Sequence, residues 1–220
     1  MQPITVQVGP LAASVANAIC LAQTPALNTP LTLNGALVNN LGVGVLDKPR
    51  TILLSSTGGS NAGVTFTITG TDWAGAPITE NIVGAGAGAS VTSLLSYATV
   101  KSIVANAAGV AGLTVGTGVT ASSPWVRLDS WAQPQMLMQH NAYGTVNYTV
   151  QQTLDDPNDP INPVAPANMT WFNATDPALV AATGSTQSNY AYAPVFMRVV
   201  LNSGSGYVIS RINQMSDANL

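Results

Sequence analysis

Charge is what this sequence most lacks. Only 7% of its 220 residues are Asp, Glu, Lys or Arg, against roughly a quarter in an ordinary soluble domain. From Met1 to Leu46 no side chain is charged. Charge keeps proteins apart in solution, so such a surface suits a chain that spends its working life packed against other protein. A secreted β protein with a Thr/Asn-rich exterior is the plainer alternative. Basic residues are scarcest: six Lys and Arg lie scattered from Lys48 to Arg211, with a formal net charge of −3. No basic stripe can neutralise a run of phosphates, which argues against nucleic acid as a partner.

Cysteine and histidine are nearly absent. A single Cys20 excludes an internal disulfide framework and a cysteine zinc cluster, and is expected to be buried as a small apolar residue. His140, the only histidine, cannot build a His-rich metal site, and a structural role beside a strand start is expected of it. Aromatics make up 6%, and the 46% hydrophobic share is mostly Ala and Val.

A secretion signal is also missing from the start, "MQPITVQVGPLAASVANAIC", which has no basic segment and carries Pro3 and Pro10 before any apolar run. The uncharged stretch 102–126 is too rich in Gly, Ala, Thr and Ser to read as a membrane span. The expectation is a soluble protein made in the cytoplasm, with no membrane partner. The three Asn-X-Thr acceptor patterns at Asn147, Asn168 and Asn173 are then products of composition.

What is present is period-2 alternation, with turn signals about every ten residues. "VTFTIT" sets Val64, Phe66 and Ile68 on one face and threonines on the other. "GTDWAGAPITENIV" adds a turn and a second strand with Ile78 and Ile82 inward, making a hairpin. "LTLNGALV" carries Asn34-Gly35, a signal for a two-residue hairpin turn. "KPRTILLSS" reads as a strand bounded by Pro49, and "ATVKSIVA", "GLTVGTG" and "TVNYTVQQT" as further strands. "APVFMRVVL" and "GYVISRINQ" are expected to pair as a hairpin across "NSGSG". In "DPALVAAT", Asp176 is placed to cap a helical turn with Pro177 at its first position. The fold class is all-β: antiparallel β-sandwich or barrel modules, two of them, with at most one or two short helices. Composition shifts near Ser122, and Pro124 and Trp125 mark a boundary between an N-terminal β module (1–122, with an extended N-terminal arm) and a C-terminal β-sandwich module (123–220).

Candidate sites are few. Asp155, Asp156 and Asp159 in "LDDPNDP" form the best chemical cluster, a weak metal candidate. Their spacing is wrong for a calcium loop, and Asp before Pro also ends strands and starts turns. Ser60 in "TGGSNAG" lacks the glycine at position 62 and the helix that a nucleophile elbow needs. "GAGAGAS" precedes no lysine or helix, so it matches no phosphate-binding loop. Trp125, Trp131 and Trp171 are candidates for an interface or core, or for a glycan-binding platform. No enzyme constellation is assembled, and no cofactor is implied.

Several phrases resemble minor virion structural proteins of tailed bacteriophages. They are "AICLAQTPALNTPLTLNGALV", "LDKPRTILLSS" and "VTFTITGTDWAGAPITENIVG", then "VNYTVQQTLDDPNDP", "TWFNATDPALV" and the closing "APVFMRVVLNSGSGYVISRINQ". Such proteins are head decoration (cement) proteins, head-to-tail connectors, or collar and fibre components. The resemblance implies a non-enzymatic, β-rich assembly unit of the virion, often a homotrimer when it decorates a capsid. Its partners would be the major capsid protein or neighbouring virion proteins. It carries no ligand residues across.

Overall fold

A computed structural model of the chain describes residues 3–128, 135–190 and 192–215. In chain order the strands begin with β1 (Ile4–Val8), β2 (Cys20–Gln23), β3 (Gly44–Ser56), β4 (Thr65–Thr71) and β5 (Pro77–Val83). They continue with β6 (Ser90–Thr92), β7 (Tyr97–Ala105), β8 (Leu113–Ser122), β9 (Val126–Arg127) and β10 (Gln135–Tyr143). The last are β11 (Asn147–Thr153), β12 (Phe172–Asn173), β13 (Thr186–Tyr190), β14 (Phe196–Ser203) and β15 (Tyr207–Met215). The only helical pieces among the described residues are 3-10 turns at Pro166–Asn168 and Pro177–Leu179. The fold is all-β and antiparallel, as the alternation predicts.

The chain divides into two compact units, Ala12–Val119 and Met1–Leu11 with Thr120–Leu220. The first is built on strands in the order β8-β3-β7-β4-β5, with β2 added to β8 and β6 to β3. Its core is the apolar half of each alternating strand: Phe66 and Ile68 from β4, Ile78 and Ile82 from β5, and Ile103 from β7 are all buried. The β4–β5 hairpin has the expected pairing, from Thr65↔Val83 to Thr71↔Pro77. Asp72 closes its turn by accepting the Ala74 and Ala76 N–H groups at 2.8 and 2.9 Å.

Two local expectations in this unit are overturned. Pro49 does not bound a strand; β3 runs through it, and the pairing with β7 jumps between Val45 and Arg50. A residue without an N–H is tolerated where the ladder is already interrupted. Asn34-Gly35 makes no hairpin turn. Both N–H groups donate to the Ile19 carbonyl, at 3.1 and 2.9 Å, and Asn34 Oδ1 accepts from Leu21 N–H. Gly35 serves close approach instead: a Cβ there would stand 2.2 Å from the Ala18 carbonyl oxygen.

The second unit is a β-sandwich. One sheet has the order β1-β15-β10-β13. The other runs β12-β11-β14, with β14 also pairing β9 and the end of β8 through Ala121 and Ser122. One apolar cluster draws on both sheets: Met138 (β10), Val208 and Ile212 (β15) with Tyr148 and Val150 (β11) and Met197 and Leu201 (β14). Side chains meeting from two inner faces are what define a sandwich. The first residues of the chain join it, β1 pairing β15 from Ile4↔Ile212 to Val8↔Val208.

The hairpin expected across "NSGSG" is not formed, because β14 and β15 belong to different sheets. Gly204 adopts φ 112°, a conformation open to glycine, and its Cα lies so near the Thr145 oxygen that a Cβ would approach to 2.3 Å. The connection thereby crosses from one sheet to the other. Asp176 caps the Pro177–Leu179 turn as expected, its carboxylate accepting from Ala178 N–H at 2.9 Å.

Candidate functional site

The acidic segment leaves β11 at Thr153 and returns at β12. Its carboxylates turn inward on their own loop. Asp155 Oδ2 accepts from Thr170 N–H at 2.6 Å, and Asp156 Oδ1 from Asn158 N–H at 2.8 Å. Asp159 Oδ1 accepts from Ile161 and Asn162 N–H at 2.8 and 2.9 Å, and these donors hold its carboxyl below the usual carboxylate range. The other oxygen of Asp156 binds the Arg127 guanidinium at 2.7 Å. Asp156 and Asp159, each followed by proline, fold in this way because a short carboxylate reaches N–H groups two or three residues on. Among the described residues, no group of three or more His, Cys, Asp or Glu is placed to hold a metal ion.

Beside this loop aromatic residues cluster. Trp125 and Trp171 lie 5.3 Å apart between centroids, tilted by 55°, and Trp125 meets Phe196 edge-on at 6.1 Å. The Arg198 guanidinium lies over the Trp171 ring at 4.1 Å, and that of Arg127 over Phe196 at 5.3 Å. Strand pairing sets Gln151 opposite Arg198, and the Gln151 oxygen accepts from Nε and Nη2 at 3.0 and 2.8 Å. Burial pushes the Arg198 pKa down to about 10. Trp125 and Trp171 are thus brought together, with the Arg198 guanidinium over the Trp171 ring. Trp131 lies outside the described residues.

The register also builds a cleft. Gln152 of β11 pairs with Phe172 of β12, so the two side chains share one face, opposite to Gln151. Together with Asp155, Thr170 and Tyr192 they line a cavity of about 330 Å³. Phe172 is 63% and Tyr192 87% exposed. Gln152 Oε1 is buried with no hydrogen-bond partner. Sequence reasoning, directed at tryptophans and acids, missed Gln152, Phe172 and Tyr192. The available signal was aromatic residues set among turn formers, in "TWFNAT" and "NYAYAP".

The remaining reactive types are structurally occupied. Cys20 is buried, and burial pushes its thiol pKa up to about 12, away from a nucleophilic thiolate. His140 lies inside β10 with its Nδ1 2.7 Å from the Ser210 hydroxyl. Ser60 Oγ accepts from Ala62 N–H in a tight turn. No family model, curated protein or solved structure matches the chain.

Proposed function

We propose that this chain is a non-enzymatic structural subunit of a tailed-bacteriophage virion, a head decoration protein that seats on the major capsid lattice as a homotrimer and stiffens the shell. The observation that carries the reading is an exterior with few charges and many bare apolar side chains. The fold withdraws charges from an already small set: Arg50 and Asp72 are 1% and 5% exposed. Meanwhile Leu41, Leu94 and Ile161 are 86%, 89% and 93% exposed. An isolated exposed leucine is ordinary, but leucines and isoleucines left in water on a nearly uncharged exterior suit burial against neighbouring subunits. The phage-like phrases of the sequence supply the assembly, and the two all-β units fit the β-rich unit that the resemblance implies.

The test is where the protein sits. Particles purified with their full protein complement and imaged by electron microscopy should show it spread over the capsid lattice, at local threefold positions. Copies confined to the tail vertex would replace decoration by a connector or collar role. Complete absence from particles would overturn the virion reading itself.

A further inference from the structure

We propose that the cleft between Gln152, Phe172 and Tyr192 binds one neutral pyranose unit of a glycan. The argument starts with the walls. A pyranose is amphipathic, with an apolar C–H face and a rim of hydroxyls. It therefore fits where an aromatic surface meets neutral hydrogen-bonding groups. Phe172 and Tyr192 supply that surface, and both rings stand mostly in water. Gln152 and Thr170 supply neutral donors and acceptors, and the Asp155 carboxylate supplies a strong acceptor held in place by Thr170 N–H.

The volume agrees. About 330 Å³ falls at the lower end of small-ligand cavities, which run roughly from 300 to 1,000 Å³. The unpartnered Gln152 oxygen is a second, independent sign. A buried acceptor without a donor is costly. Terminal amide torsions are soft, so this one can swing to take a ligand hydroxyl.

Electrostatics narrows the class. An anionic sugar or a phosphate needs a cation, and the two arginines of this region are committed. Arg127 is bound to Asp156, and Arg198 is held between Gln151 and Trp171. Asp155 would repel an anion outright. A lone ammonium would use Asp155 and the rings but leave the neutral groups idle. A neutral hexose uses all of them.

The proposal is independent of the virion reading, and its failure leaves that reading intact. The test is saturation-transfer-difference NMR on the full chain with methyl glycosides of glucose, galactose, mannose and N-acetylglucosamine at millimolar concentration. At least one should receive saturation, strongest at its C–H face protons. Tyr192→Ala and Phe172→Ala, both at exposed positions that leave the core intact, should each weaken binding by about tenfold or more. Trp73→Phe, in the other unit, should leave it unchanged. Transfer to none of the four sugars would overturn the proposal. So would transfer indifferent to both cleft variants, or a cleft that takes only methylammonium or an anionic sugar.

Discussion

His140 makes the stability of the C-terminal unit depend on pH in a window where few other groups titrate. The ring is 0% exposed, its Nδ1 engages Ser210 at 2.7 Å, and its Nε2 has no partner. A charged imidazolium there would have one N–H facing apolar packing, beside the Tyr148 ring at 6.0 Å. Burial therefore pushes the pKa down from 6.5 to about 4. The unfolded chain binds a proton near pH 6.5, and the folded chain refuses it until about pH 4. The neutral ring's contribution is thus fully present above pH 6.5 and is lost progressively as pH falls toward 4, by about 3 kcal/mol in all.

Urea unfolding followed at pH 7.5 and pH 4.5 should show a drop of about 2.5 kcal/mol from this group. Two other classes of group act nearby. Asp47, Asp159 and Asp176 have lowered pKa values and lose their contribution at still lower pH. Glu80 is raised by burial despite the Leu94 and Leu95 N–H groups it accepts, so its protonation works in the opposite direction. The His140→Gln variant isolates the histidine, because its stability should lack the drop while the carboxylates remain. Equal slopes for the two proteins between pH 6.5 and 4.5 would refute the argument, as would an imidazole NMR titration centred near 6.5 in the folded chain.

Arg50→Met should destabilise the N-terminal unit by about 2–4 kcal/mol in urea unfolding, because two main-chain carbonyls lose their guanidinium donors. Arg50 is 1% exposed, meets Asp47 at 3.1 Å, and donates to the Ala12 and Gly118 carbonyls. A loss under about 1 kcal/mol would mean that water reaches these groups freely. Gly35→Ala should cost at least about 1–3 kcal/mol by the same assay, since its Cβ meets main-chain oxygen at 2.2 Å and backbone cannot swing aside. A neutral result would show that the Ala18–Gly35 approach is looser than the structure has it.

The fold class was legible because alternation reports directly on half-buried strands. Phe66, Ile68, Ile78 and Ile82 could be assigned inward from period alone, and all are buried. Long-range pairing could not be read in this way. "APVFMRVVL" and "GYVISRINQ" look like hairpin arms because they are adjacent strands across a glycine-rich link. Yet a link of that composition also serves to change sheets, and only Thr145, some sixty residues away in sequence, decides which. Asn34-Gly35 failed for a related reason: glycine was required by the Ala18 backbone, which local sequence does not reveal. At the candidate site, the acidic loop was visible as a turn, and Trp125 and Trp171 make ring contacts. The cleft was hidden because it depends on the Gln152↔Phe172 register and on Tyr192 arriving from the connection between β13 and β14.

One pattern joins the scarcity of charge to the architecture. Asp47, Asp72, Glu80, Asp155, Asp156, Asp159 and Asp176 are the acidic residues within the described parts of the chain. Each accepts a hydrogen bond from at least one main-chain N–H. These carboxylates are shaping loops and turns, a use in which a charged acceptor is worth more than a neutral one. Two of the arginines are similarly engaged, Arg127 on Asp156 and Arg50 on Asp47. An ordinary soluble domain carries further charges whose main effect is mutual repulsion between copies. Here that surplus is missing, while the groups that fix local geometry are retained. The acidic side chains of the described residues thus stand where main-chain N–H groups need an acceptor. Adding lysines and glutamates at exposed threonines of the strands should therefore leave the fold standing while reducing any self-association measured by sedimentation. If a charge-enriched variant associates as the native chain does, contact between subunits does not explain the missing charge.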